Sequence, residues 1–296
     1  MTETTPNARS TPMPTHFAVI AAIALSHFIN DVMQSVLSAS YPVLQAEFAL
    51  SFTQIGLMSL AFMGTASVLQ PIVGMVTDRH PFPQSLTLGM GSTMLGLFLL
   101  AWAPSYALLL TGAALIGIGS AVFHPEASRV ARAAAGRRFG TAQSLFQLGG
   151  NAGSSAGPLL AAFIVVPFGR GSVAWFAVMA MIGMTMLSQV GRWYARQERA
   201  RRKTVAAKHH GLPRRKVIVT IILLAFLVFT KNTYIASIST YYTFFLIERF
   251  ALSTQEAQLM LFLFLGSAAA GVILGGLIGD RIGTRAVIWV SILGVL

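Results

Sequence analysis

Eight long apolar runs decide what this chain can fold into: roughly 17 to 43, 52 to 77, 84 to 103, 105 to 128, 141 to 166, 171 to 194, 216 to 247 and 256 to 279. About 20 mostly apolar residues cross a bilayer as a helix. Hydrocarbon offers no partner to a bare peptide group, so such runs must satisfy their backbone internally as helices. A ninth run begins near 285 and reaches the last residue, Leu296. Composition agrees, because 55% of the residues are apolar and 10% charged, whereas a soluble globule carries about a quarter charged residues. The expected fold class is therefore an all-α integral membrane protein with eight complete spans and the start of a ninth. Thr2 to Thr15 is polar with a single Arg, and the run that follows is too long for a signal peptide. The first span is expected to stay in the mature protein.

The basic residues orient these spans. Of 21 Lys and Arg, 18 fall in loops on one side: Arg9, Arg79, Arg129, Arg132, Arg137, Arg138, the ten from Arg192 to Lys216, Arg281 and Arg285. Only Arg170 and Arg249 lie opposite, and Lys231 sits inside a span. The positive-inside rule then places the N-terminus and the loop from 195 to 215 in the cytoplasm of a multi-pass inner-membrane protein. The net charge of +12 needs no nucleic acid, since basic loops at anionic headgroups account for it. A partner-binding role for the 192 to 216 cluster is the alternative. No cysteine is present, which excludes disulfides, thiol nucleophiles and thiolate metal sites. The six His residues form no helical pair with metal spacing. No metal, no cofactor and no enzyme chemistry are expected, since no nucleophile, base and oxyanion group occur together.

Sliding the chain against itself finds one register, at an offset of 202 residues. Phe48-Ala49-Leu50-Ser51 returns as Phe250-Ala251-Leu252-Ser253, Gly64 as Gly266, Asn30 as Asn232, and Gly74-x-x-x-Asp78-Arg79 as Gly276-x-x-x-Asp280-Arg281. Twelve of 32 positions are identical between 48 and 79 and their images. The chain reads as a duplication: a cytoplasmic tail over 1–16, a six-helix half over 17–194, a basic loop over 195–215, and the beginning of a second half over 216–296. Two complete halves would require about a hundred further residues beyond Leu296. Parallel halves around a mid-membrane site are an architecture of secondary transporters.

Within the spans, polar residues fall into patterns. His27, Asn30, Asp31, Gln34, Ser38 and Tyr41 are spaced along one helical face of the first span. An unpaired charge inside a membrane costs at least about 2.5–3.5 kcal/mol, so this stripe must face a cavity or a partner helix. Asp31 is the candidate proton site; a packing network that moves nothing is the competing reading. In the fifth span Gly149, Gly153, Gly157 and Ala161 recur every fourth residue as a packing face, while Gln147, Asn151 and Ser155 lie on another face that can line a pathway. Gly271, Gly275 and Gly279 suggest a second close helix contact in the eighth span. His124 and Glu126, separated by Pro125, point to different faces of the fourth span. Glu126 can pair with Arg129 or help release protons to the cytoplasm. Asp78 and Asp280 could cap helix starts or hold Arg79 and Arg281 across a cytoplasmic gap.

These residues also carry a resemblance. Gly276-Leu-Ile-Gly-Asp280-Arg281-Ile-Gly283-Thr-Arg285 resembles the cytoplasmic loop signature of the major facilitator superfamily, G-x-x-x-D-R-x-G-x-[RK]. Its first-half copy departs after Arg79, where His80-Pro81-Phe82-Pro83 replaces the second glycine and basic tail. Gly153-Ser-Ser-Ala-Gly157-Pro158 is similar to the G-x-x-x-G-P signature of the superfamily's antiporters, with Ala161 and Ala162 where that pattern has two more glycines. The fourth-span arginine of many drug exporters is absent. His27-Phe-Ile-Asn30-Asp31 and Phe123-His124-Pro125-Glu126-Ala-Ser-Arg129 resemble the fosmidomycin-resistance branch, from about residue 17 onward.

The resemblance implies a bundle of two parallel six-helix halves that exports a small antibiotic in exchange for protons, as a monomer, by alternating access. It implies a proton and substrate pathway at His27, Asn30, Asp31, Gln34, His124, Glu126, Gln147, Asn151, Lys231 and Asn232. A cytoplasmic gate would comprise Gly74, Asp78, Arg79, Gly276, Asp280, Arg281, Gly283 and Arg285. First and seventh spans face each other in this superfamily, so Lys231 is expected to meet Asp31 or an anionic substrate. Lys231 lies 15 residues beyond Lys216, about 22 Å at 1.5 Å per residue, which is deep for a lysine that merely snorkels. An importer or facilitator of a small polar or anionic metabolite, and a non-transporting membrane sensor, are the alternatives.

Overall fold

The computed structural model describes residues 14–80, 82–201 and 214–282, with scattered positions from 286 to 294. Among them the chain is helical: α1 (Phe17–Ala39), α2 (Tyr41–Phe48), α3 (Phe52–Arg79), α4 (Ser85–Trp102), α5 (Tyr106–Ala134), α6 (Phe139–Leu160), α7 (Val166–Phe168), α8 (Phe176–Arg201), α9 (Arg214–Phe250) and α10 (Thr254–Ile282). Eight of the resulting rods are long and apolar enough to cross a membrane, with α1 and α2 forming one and α6 and α7 another. Each falls on one of the eight runs read from the sequence. More than half of the ninth run lies outside the described residues, as do Gly283, Arg285 and most of the basic loop.

The 202-residue offset survives in the backbone. After α2, Ala49 turns left-handed at φ 51°, and after α9 its image Ala251 does so at φ 53°. Those two are the non-glycine residues with positive φ among the described residues, at a cost of about 1–2 kcal/mol each for a residue with a Cβ. The next helix then starts with the same device twice. Ser51 caps α3 in a reciprocal box with Gln54, and Ser253 bonds the Glu256 backbone N–H while the Glu256 carboxylate accepts from the Ser253 N–H.

Helix α1 packs along α6, and the glycines of the fifth span make that approach possible. A β-carbon on Gly149 would strike the Ala24 carbonyl, one on Gly153 the Phe28 carbonyl, and one on Gly157 the Ser35 side chain. The expected packing face is therefore present. Beyond Pro158 the fifth span widens into a π-helical turn over Ala161–Val165, an irregularity tolerated in membranes where protein buries it. In the eighth span, a β-carbon on Gly271 would meet nothing within 4 Å. Gly271 therefore makes none of the expected close helix contact with the described residues. The outward faces carry the apolar side chains that lipid would cover, including Leu60, Val68, Leu88 and Phe229.

Candidate functional site

The stripe on α1 forms the wall of two cavities. One, of about 290 Å³, is lined by His27, Asp31 and His124 together with Gln147 and Asn151 of α6. The other, of about 160 Å³, is lined by Asp31, Gln34, Ser38 and Tyr41 of the first rod, with Ser154 of α6 and Thr240 of α9. Asp31 belongs to both. The first cavity lies toward the end of the bundle that carries Arg79 and Arg129, the second toward the α2–α3 turn.

Neighbouring side chains hold the Asp31 carboxylate. Asn30 Nδ2 donates to Oδ1 at 3.0 Å, Ser154 Oγ donates to Oδ2 at 3.3 Å, and His27 Nε2 stands 3.5 Å from Oδ2. His27 is itself fixed. Its Nδ1 donates to the Phe146 carbonyl at 2.8 Å, its ring stacks on Phe146 at 4.1 Å, and Gly150 supplies the space, because a β-carbon there would overlap the imidazole. The bond from Nδ1 to a carbonyl sets the tautomer and turns Nε2 toward Asp31. His124 comes in from α5 with its ring 5.3 Å from that of His27. Further along the stripe, Ser120 donates to Gln34 Oε1 at 3.1 Å, and Ser59 to the Tyr41 hydroxyl at 3.0 Å. Asn30 Oδ1, Gln34 Nε2 and His124 Nδ1 are buried without a hydrogen-bond partner. Buried polar atoms left this way usually mark a site for water or ligand.

Several sequence expectations change in detail. Gln147 and Asn151 line the first cavity, but Ser155 is buried and bonds the Ala152 carbonyl; its neighbour Ser154 takes the pathway position. His124 and Glu126 do point apart. Glu126 is buried against Arg129, whose Nη1 lies 2.5 Å from its carboxylate. The same guanidinium reaches Asp78 at 2.6 Å and the Gly74 carbonyl at 3.5 Å, tying α3 to α5. Asp78 thus neither caps a helix start nor holds Arg79: it sits in the last turn of α3, where an acid finds no bare N–H groups, and its partner is Arg129. Arg79 is exposed, and so is Asn232, which lines neither cavity. Gly153, Gly157 and Pro158 are buried in the α1–α6 seam. The side chains of Lys231, Asp280 and Arg281 and the surroundings of Gly276 lie outside what the structure describes.

Sequence reasoning missed Ser59, Ser154, Thr240 and Gln258. Ser59 Oγ and Thr240 Oγ1 are 3.0 Å apart across α3 and α9. Gln258 of α10, fully buried, donates to the Ala39 carbonyl at 2.6 Å. That carbonyl is available because the first rod breaks at Ser40. Hydroxyls and amides at span ends are common enough that only the spatial pairing distinguishes these.

A duplicated all-helical membrane protein with a buried polar file between its helices is the kind of molecule the geometry defines. Comparison with known proteins agrees: residues 23–296 match the Major Facilitator Superfamily. The chain belongs to that transporter superfamily. It is 53% identical over 289 residues to the fosmidomycin resistance protein of Escherichia coli (strain K12), covering 97% of this chain and 71% of that one. It is 37% identical to an uncharacterized MFS-type transporter, YfnC, of Bacillus subtilis (strain 168), covering 95% of this chain and 70% of the relative. Among solved structures, an inward-facing, occupied bacterial homolog of the human lysosomal transporter Spinster aligns with a TM-score of 0.68 at 17% identity, over 93% of this chain and 63% of that one. A D-xylose-proton symporter aligns at 0.64 and 17%, over 90% and 70%. The chain thus spans a little under two thirds of the Spinster homolog. At these identities the structures speak to fold alone.

Proposed function

We propose that this protein is a secondary active exporter that moves a small anionic antibiotic of the fosmidomycin class out of the cytoplasm in exchange for protons, by alternating access. The placement of Asp31 carries the reading: one carboxylate forms part of two cavities that lie on either side of it along α1. A group in that position can be offered to one side and then the other as the helices rock. The name of the Escherichia coli relative, 53% identical, supports fosmidomycin as cargo. The basic loops support a cytoplasmic N-terminus in the inner membrane, and the chain is assigned as a monomer with anionic headgroups at those loops. Lys231 is assigned to contact with Asp31 or with the cargo anion, and the gate to residues 74–79 and their images 276–285.

The test is export by the full-length protein in cells and in vesicles with an imposed pH gradient. Asp31→Asn should abolish gradient-driven fosmidomycin efflux while leaving membrane insertion intact. Normal export by that variant would overturn the assignment of Asp31.

A further inference from the structure

The first cavity holds more than a proton relay requires. His27, Asp31 and His124 each present one ligand atom, and these atoms lie within 4.8 Å of one another. Two imidazole nitrogens and one carboxylate oxygen form a common donor set for divalent first-row transition metals, one that leaves coordination positions open. With metal–ligand bonds of about 2.0–2.2 Å, adjacent ligands of a tetrahedral ion stand about 3.4 Å apart, and His27 Nε2 lies 3.5 Å from Asp31 Oδ2. As a charge-assisted hydrogen bond that distance is long, since such bonds run about 2.7–2.9 Å. As one edge of a coordination shell it is close to ideal. His124 offers the third ligand atom, within 4.8 Å of the other two.

The supports behind these groups point the same way. His27 donates its Nδ1 proton to the Phe146 carbonyl, which leaves Nε2 as the free lone pair, and Asn30 and Ser154 orient the carboxylate. Such outer partners are the usual companions of ligating His and Asp. His124 Nδ1 is buried with no hydrogen-bond partner. No Lys or Arg is among the described residues that line this cavity, and Asp31 is the acid among them. An anionic cargo that approached Asp31 without a countercharge would meet like charge. A divalent cation reverses that sign and offers an open position to a cargo oxygen.

We propose that His27, Asp31 and His124 form a binding site for a divalent transition-metal cation, open on the cavity side to an oxygen of the cargo. The cargo half of this proposal rests on the transport reading above; the cation half stands without it.

The test is Zn²⁺ titration of the purified, metal-stripped full-length protein by calorimetry, with Co²⁺ as a visible-absorption probe. One Zn²⁺ per chain should bind. His27→Gln, Asp31→Asn and His124→Gln should each weaken it tenfold or more, and the triple variant should lose it. A His209→Gln/His210→Gln variant removes the adjacent histidines of the basic loop and should bind as before. To separate ligand loss from misfolding, Zn²⁺ should raise the Tm of the protein and of the loop variant but not of the triple variant, whose metal-free Tm is measured alongside. Equal Zn²⁺ affinity in wild type and triple variant overturns the site. Fosmidomycin should bind at least tenfold tighter with Zn²⁺ than without it, and unchanged binding overturns the role in cargo recognition. Zn²⁺ binding that persists in a protein unable to export fosmidomycin counts against the transport reading alone.

Discussion

Arg129 is the residue whose loss the structure prices most sharply. Its guanidinium joins a buried acid to an exposed one: the Glu126 side chain is 2% accessible and the Asp78 side chain 72%. Arg129→Gln would leave the Glu126 carboxylate buried without its cation, a change that costs about 3–5 kcal/mol when one partner of a buried pair is removed. Asp78→Asn removes only the wet arm of the bridge, worth about 0.2–1 kcal/mol. In the double variant Arg129→Gln/Glu126→Gln no charge is stranded, so stability should return by about 1–3 kcal/mol relative to Arg129→Gln alone, within the range of coupling measured for contacting residues. Equilibrium unfolding of the purified protein in mixed micelles of increasing SDS fraction measures the wild type and the three variants. If Asp78→Asn costs as much as Arg129→Gln, or the double variant is less stable than Arg129→Gln, then the pair is not buried as described.

Three further outcomes follow from the packing. Gly153→Leu should separate α6 from α1, because even its β-carbon would strike the Phe28 carbonyl and the Asp31 side chain; a loss of about 1–3 kcal/mol in the same unfolding assay checks it, and a neutral result refutes the seam. Ala49→Gly should be neutral or stabilising by up to about 1 kcal/mol, since the left-handed φ of 51° suits glycine, whereas Ala49→Val should be clearly destabilising. Gln258→Leu removes the bond to the Ala39 carbonyl and should favour opening at that end. With no cysteine among residues 1–296, Ser239→Cys in the second cavity should then react faster with an impermeant maleimide added from outside, and an unchanged rate would show that the Gln258–Ala39 bond does not hold that end closed.

The spans were legible because lipid imposes a length and a composition that a sequence cannot disguise. The duplication was legible too, and the twin left-handed turns at Ala49 and Ala251 show that the matching residues mark matching backbone. The α1 stripe was readable because helical spacing alone aligns His27 with Asp31. Partners contributed by other helices were not. Nothing in the order of residues brings His124 onto the His27–Asp31 pair, so a search for metal spacing along single helices found none. Likewise Arg129 was placed beside Glu126 by the i, i+3 rule, but its reach to Asp78 depends on how α3 lies against α5. The choice of Ser154 over Ser155 turned on the rotation of α6, which its glycines set by pressing against α1.

The described contacts between the two halves also bear on how the molecule could move. Hydrogen bonds from α1 and α3 to α9 and α10 join Ala39 to Gln258, Ser59 to Thr240 and, at 3.5 Å, Phe52 to Tyr241, and the Phe52 ring packs edge-on against Phe244. All of these lie at the end with the left-handed turns. At the opposite end α9 is exposed from Val217 to Phe229, and the Arg129 bridge stays within the first half. Among the described residues, the hydrogen bonds between the halves therefore cluster at one end. The halves are joined by a few neutral hydrogen bonds, each worth roughly 0.5–1.5 kcal/mol net, by the Phe52 ring against Tyr241 and Phe244, and by the packing of α10 against α6, while the glycine seam and the buried ion pair hold the first half together internally. Asp31, part of both cavities, stands where the first half meets α9 and α10 in the second of them, so a rocking of one half against the other would change its surroundings.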